Sequence, residues 1–240
     1  WPLQNGLTLI HQNNMGTFVG PNIVTDGLVF AVDAGSERSY PGTGSTWYDL
    51  SGNGLDMTMV GTVTWNSAGY FTGWATANYF ACTESYGGIL PIGNQARTII
   101  AVVEVGTTSG YQHITHYGNY TTNQAYGLAL LNGVLSDHRW GTSNNGTVSV
   151  SASNNIVMLS TRHATNTGAR FGIDTSYEDI STIIGASTAS NVQFRVGSRL
   201  NNGETWMSNG KIFRVLIYNR VLTDAEIEQN YNALQSRFGL

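Results

Sequence analysis

The chain has 240 residues, 41% hydrophobic and 11% aromatic, which is enough apolar material for one large core or at most two small ones. Only 11% are charged, and the basic side is ten Arg and the single Lys211, giving a formal net charge of −4. That balance excludes a protein that binds nucleic acid by neutralising phosphates, and the aromatic content excludes a disordered chain.

Residues 1–26 are Asn- and Gly-rich without a helical or alternating period, and read as an extended arm ahead of a domain over 27–240. The arm would dock on a partner or fray as a terminus. From Gly27 onward, apolar runs of strand length alternate with Gly, Asn, Ser and Thr clusters: Leu28–Asp33, Met57–Val60, Thr98–Val105, Tyr111–Tyr117, Tyr126–Leu131, Ile156–Arg162, Ala169–Ile173, Val192–Val196 and Lys211–Tyr218. In Thr98–Val105 both faces are apolar, which predicts a central strand covered on both sides, as a two-layer sandwich provides. In the last run, Phe213, Val215 and Ile217 are expected on one face, with Arg214, Tyr218 and Arg220 on a polar one. Thr223-Asp224-Ala225-Glu226 is a capping-box sequence that starts one C-terminal helix, with Ile227, Tyr231 and Leu234 as its apolar stripe and an end near Arg237, before Gly239.

Two long segments carry a family resemblance. The first is Gly20-Pro21-Asn22-Ile23-Val24-Thr25-Asp26-Gly27-Leu28-Val29-Phe30-Ala31-Val32-Asp33-Ala34-Gly35, followed by Ser39-Tyr40-Pro41-Gly42-Thr43-Gly44 and Thr46-Trp47-Tyr48-Asp49-Leu50-Ser51-Gly52-Asn53-Gly54. The second is Ile217-Tyr218-Asn219-Arg220-Val221-Leu222-Thr223-Asp224-Ala225-Glu226-Ile227. Together they resemble the laminin-G-like, concanavalin A-like jelly rolls of phage virion proteins and bacterial surface proteins, over roughly residues 20–240. The resemblance implies an all-β antiparallel jelly-roll sandwich whose faces and loops bind glycans, calcium or proteins in various relatives; it implies no particular activity.

Several chemistries are disfavoured by spacing. The seven Glu and eight Asp are scattered, with no closely spaced carboxylate pair of the kind that cleaves glycosides, although distant carboxylates can converge in a fold. Adjacent Glu178 and Asp179 would point to opposite faces. There is no Gly-x-Ser-x-Gly elbow, no His-Glu-x-x-His helix and no phosphate loop. Cys82 has no partner for an internal disulfide, reads as a small core residue, and forms no Cys/His cluster of zinc-site spacing in sequence. His113 and His116, three apart in a strand, should face opposite ways and cannot share a metal without a bulge. No apolar run approaches the ~18–20 residues of a membrane span. Trp1-Pro2-Leu3 does not open like a signal peptide, and the missing initiator Met fits a processed start or a gene product beginning at Met15.

Two kinds of binding site remain. Asp49, Ser51 and Asn53 in Asp49-Leu50-Ser51-Gly52-Asn53-Gly54 have the alternating oxygens of the first half of a calcium loop, but Val60 stands where the twelfth-position acid would be. An Asx-type turn explains the same residues. Sugar binding asks for a flat aromatic to stack on the pyranose ring and polar neighbours for the hydroxyls. Tyr111, His113, Thr115 and Tyr117 would form such a strip on one strand face. Asp137-His138-Arg139-Trp140 offers the same mixture in a turn, with Asn201, Asn202 and Trp206 joining from another loop. Trp140 and Trp206 would alternatively plug the sandwich ends, while Trp47, Trp65 and Trp74 belong to the core or its rim. Asn119-Tyr120-Thr121 and Asn145-Gly146-Thr147 match glycosylation acceptors, relevant only in a secreted eukaryotic protein.

The expectation is a non-enzymatic structural or adhesion protein of a virion surface, a capsid decoration or tail-fibre component, that contacts host glycans. Its partners would be other virion proteins, held through the arm, and further copies of itself. The alternatives are a calcium-assisted lectin and a glycosidase with unusually placed carboxylates.

Overall fold

The computed structural model describes residues 22–82, 86–153, 155–165, 168–180, 185–190, 193–200 and 206–240. Two antiparallel eight-stranded sheets face each other. The first contains β1 (Leu28–Asp33), β4 (Thr64–Asn66), β5 (Tyr70–Thr72), β7 (Arg97–Glu104), β12 (Ile156–Ala164), β13 (Gly168–Ile173), β14 (Ser176–Ile180) and β16 (Lys211–Tyr218). It runs β14-β13-β12-β7-β16-β5-β4, with β1 also paired to β16. The second contains β2 (Thr46–Trp47), β3 (Met57–Val60), β6 (Tyr79–Cys82), β8 (Tyr111–Gly118), β9 (Ala125–Leu131), β10 (Val134–His138), β11 (Ser143–Ser149) and β15 (Gln193–Val196), in the order β11-β10-β9-β8-β15-β6-β3-β2. The all-β sandwich with one C-terminal helix expected from the run pattern is the architecture found.

The main core lies between the sheets. Ile99, Ala101 and Val103 of β7 enter it, while Ile100 and Val102 face away into a second, smaller core beneath the helix. This two-sided burial is what the apolar run required. Trp47, Phe71, Trp74 and Phe80 cluster in the main core, with Trp47 and Phe80 each about 5 Å from Phe71 between ring centres. Trp65 packs at the rim and donates its indole N–H to the Ala34 carbonyl.

The helix, α1 (Asp224–Phe238), starts at the expected capping box: Thr223 accepts from the Glu226 amide and the Glu226 carboxylate accepts from the Thr223 amide. It ends at Gly239, whose φ of 72° is the left-handed cap that glycine adopts at little cost. Ile227, Leu234 and Phe238 cover Phe213, Leu216 and Tyr218 of β16, and Tyr231 packs at the edge of this group. Asp33 on β1 ties the assembly together, accepting from Arg214 on β16 and from both terminal nitrogens of Arg237 on α1.

The alternation expected in β16 is corrected by a bulge. The register shifts between Ile212 and Arg214, so Val215 and Ile217 enter the main core while Phe213 turns to the helix side. Tyr218 is not on a polar surface: it is fully buried under α1, hydrogen-bonded to the Val24 carbonyl and the Asn230 amide, and burial lifts its phenol to about 12. Residues 22–26 of the segment read as an arm lie against the domain's own helix, where the Val24 amide donates to Asn230 and Gln229 donates to the Asn22 carbonyl. Residues 1–21 are outside the described part.

Candidate functional site

The polar chemistry of the second sheet gathers on β8, β9 and β10, consecutive strands of a meander. Its first determinant is a bulge in β8. Against β9, His113 pairs with Ala129 and Thr115 with Leu128, so Ile114 is an extra residue. Ile114 and Tyr117 point into the main core, and His113 and His116 emerge together on the outer face. The expectation that these histidines face opposite ways is thus overturned by the one irregularity that permits it. The same bulge breaks the expected strip: Tyr117 is buried in the core, where its hydroxyl receives a hydrogen bond from Arg97.

The second determinant is Gly127. It lies between His116 on β8 and His138 on β10, each of which it pairs with. A Cβ at this position would stand 2.7 Å from His116 Cδ2 and 3.0 Å from His116 Cα, and still nearer the Thr115 carbonyl oxygen. Without that carbon, the two imidazoles meet across the middle strand, with His138 Nδ1 and His116 Nε2 3.3 Å apart. One ring nitrogen from each of His113, His116 and His138 lies within 4.8 Å of the others.

The chain after β15 folds back over this face. The Leu200 amide donates to His116 Nδ1 at 3.2 Å, which makes neutral His116 a donor through Nε2 towards His138. His113 and His116 are wholly buried and His138 is 4% exposed. Burial holds all three below the ordinary imidazole range, His138 at about 4, and the neighbouring charge of Arg199 acts in the same direction. Three neutral imidazoles converge here, the protonation state that metal ligation requires.

Beside the histidines lies an aromatic patch. Half-buried Tyr111 stands edge-on to His138, 4.9 Å between centres, so Tyr111 and His138 do share a site. Trp140, in the turn after β10, packs against Tyr120 from the β8–β9 loop and carries the Arg199 guanidinium 4.2 Å above its ring. Tyr120 is 41% exposed and supplies the more open ring face, beside half-buried Trp140. The sequence marked Tyr120 only within a glycosylation pattern, and neither its exposure nor its partner across the turn was legible there.

Other expected members separate. Asp137 and Arg139 flank His138 on the strand, so alternation turns them to the other side, where both are fully buried. They form an ion pair within a polar plug that includes Tyr126, His163 and Asn144. Trp206 bridges Ser198 and packs against the main core. Asn201 and Asn202 lie outside the described residues. In the Asp49–Gly54 loop, Asp49 Oδ1 accepts from the Ala31 and Ser51 amides and Oδ2 from the Ser51 hydroxyl and Leu55 amide, while Asn53 donates to the Val29 carbonyl. The loop is an Asx-type turn fastened to β1, and a cation on Asp49 would have to displace these bonds.

An open cleft of about 670 Å³ between the β12–β14 edge and the start of α1 contains two carboxylates, Asp179 and Asp224. Arg170 binds both: its hydrogen bond holds Asp179 below the usual carboxylate range, while Asp224 is held down first by Arg162 and then by Arg170. A glycosidase acid needs the opposite shift.

No family model matches the chain, and no curated protein matches it. Solved structures do share its fold. The binding domain of botulinum neurotoxin DC in complex with SialylT superposes with a TM-score of 0.65 at 14% identity, over 88% of this chain and 52% of that one. Trypanosoma rangeli sialidase in its covalent difluorosialic acid complex superposes at 0.63 with 16% identity, over 88% of this chain and 34% of the sialidase. The same enzyme with sialic acid gives 0.62 at 13% identity, over 92% and 36%. This chain therefore spans about a third of the sialidase and half of the toxin fragment, and at these identities what is shared is the β-sandwich itself.

Proposed function

We propose that the domain is a non-enzymatic carbohydrate-binding module displayed on a surface. The observation that carries this reading is the Tyr120–Trp140–Arg199 patch: an exposed aromatic ring packed on a half-buried one, with a cation beside it and Tyr111 at its margin. A pyranose C–H face would stack on Tyr120, and Arg199 would favour an acidic sugar. The sialic acid and SialylT complexes of the structural neighbours support the choice of ligand class. The ion pairs that Arg170 and Arg162 make with the two cleft carboxylates weigh against a protonated glycosidase acid there.

The setting we propose is a virion surface, with other virion proteins on the residues that precede Asn22. Its support is the opening-motif resemblance; neither structural neighbour is viral.

The test is a glycan array of the purified protein containing sialylated and neutral glycans, read with calcium and again in EDTA. Specific binding is expected, with at least tenfold weakening in Tyr120→Ala and little change in Tyr48→Ala, an exposed tyrosine elsewhere. Silence across the array, or Tyr120→Ala binding like the parent, would end the reading. Loss in EDTA would bring calcium into it.

A further inference from the structure

We propose that His113, His116 and His138 form a binding site for a first-row divalent transition metal, zinc in the first instance, on the outer face of the second sheet. The spacing is the first argument. Two imidazoles on a tetrahedral zinc, with Zn–N of about 2.0–2.1 Å, place their nitrogens about 3.3–3.4 Å apart. His116 Nε2 and His138 Nδ1 are already 3.3 Å apart. One ring nitrogen of each of the three histidines lies within 4.8 Å of the others, so bringing His113 to tetrahedral spacing takes a shift of at most about 1.5 Å.

Two backbone devices serve this convergence. The β8 bulge brings His113 and His116 to one face, and Gly127 clears the space over which His116 and His138 meet. An ordinary meander would need neither. An all-imidazole set selects zinc and its borderline neighbours over calcium or magnesium, which demand oxygen. Three protein ligands leave a fourth position for water or a ligand oxygen.

Binding has an identifiable cost. His116 now accepts from the Leu200 amide at Nδ1, so its proton is on Nε2. When Nε2 takes the metal, that proton passes to Nδ1, no net proton is lost from the ring, and the Leu200 amide has to let go. Arg199 precedes Leu200 in the chain and holds its guanidinium 4.2 Å above Trp140, whose ring contacts His138 edge-on, so its charge stands beside the site and opposes an added one. Metal occupancy and the seating of the 199–200 segment are therefore coupled.

The experiment uses tag-free protein stripped with EDTA and dialysed, titrated with Zn²⁺ by calorimetry and with Co²⁺ by visible absorption. One Zn²⁺ per chain, a raised thermal midpoint and the intense Co²⁺ bands of four-coordination are expected. His138→Gln and His116→Asn should each weaken Zn²⁺ binding at least tenfold, while His163→Gln, a buried histidine outside the set, should bind as the parent does. Arg199→Gln should tighten binding, which keeps the proposal exposed even if a histidine variant fails to fold. Absent or weak multi-site binding, a six-coordinate Co²⁺ spectrum, equal affinity in the folded histidine variants, or unchanged or weakened binding in Arg199→Gln would each overturn it.

Discussion

Replacing Gly127 with alanine is the sharpest test of how the second sheet is built. The new methyl would sit 2.7 Å from His116 Cδ2 and closer still to the Thr115 carbonyl, a backbone atom of the adjacent strand. Ordinary contact needs about 3.5 Å, so β8 and β9 have to part locally by roughly 1 Å. Overpacking of this kind costs about 1–3 kcal/mol, and one or two weakened ladder hydrogen bonds add roughly 1 kcal/mol each. Reduced freedom of the unfolded chain returns about 0.4–1 kcal/mol. The net expectation is a loss of about 2–3 kcal/mol, a fall of about 1 M in the urea midpoint for an m value of roughly 2–3 kcal/mol per M. Equilibrium unfolding of Gly127→Ala should be measured beside Gly185→Ala, where the added carbon meets nothing nearer than 3.8 Å. If both variants unfold at the parent midpoint, the strands are not as close as described and the convergence of His116 and His138 loses its basis.

Other outcomes follow from buried polar groups. His163 donates to Asn94 and faces Arg139 through Nδ1, and burial together with Arg139 and Arg97 pulls its pKa down to about 3. The unfolded imidazole protonates near pH 6.5, so this group's contribution to stability is complete above that value and is lost as the pH falls towards 3, with a slope of up to about 1.4 kcal/mol per pH unit. Urea midpoints at pH 7, 5 and 4 should therefore fall less steeply in His163→Gln; an identical slope would refute the assignment. Asp137→Asn leaves Arg139 charged and buried, and should cost about 3–5 kcal/mol, partly recovered in Asp137→Asn/Arg139→Met; thermal unfolding of both variants would contradict this if the single change proved silent. Thr223→Ala removes the helix cap and should cost about 0.5–2 kcal/mol in the same assay.

The sequence carried the architecture wherever burial writes a pattern. β7 was legible because a strand covered on both faces must be apolar on both, and α1 because its cap is a local hydrogen-bond motif. The short strands β2, β4 and β5, of two or three residues, have no room to show a period. The candidate site was half legible. Tyr111, His138 and Trp140 were named, but a bulge shifts every later residue of its strand by one face, and no residue type announces it. Thus Tyr117 was misplaced and His116 was set apart from His113. Asp137 and Arg139 were grouped with their strand neighbours because the segment read as a turn, whereas β10 reaches His138 and alternation divides them. Gly127 as the space between two imidazoles depends on register across three strands, which one sequence does not display.

The place of β16 governs the order in which the protein can be made. This strand is the last of the chain, yet it stands inside the first sheet, between β7 on one side and β1 and β5 on the other. During synthesis β1, whose strand partner among the described residues is β16, waits until residues 211–218 leave the ribosome, and its Asp33 waits for Arg237, 204 positions later. Within the meander β8–β11, by contrast, each strand pairs with the next in sequence, and although β8 also takes β15 on its other edge, the four strands can assemble early. Folding should then consist of a quick local phase that forms the histidine-bearing strands and a slow closing phase limited by loop closure across nearly the whole chain. A nascent chain stopped before β16 would expose unpaired strand edges, so loss of the last thirty residues would lead to aggregation rather than to a trimmed domain.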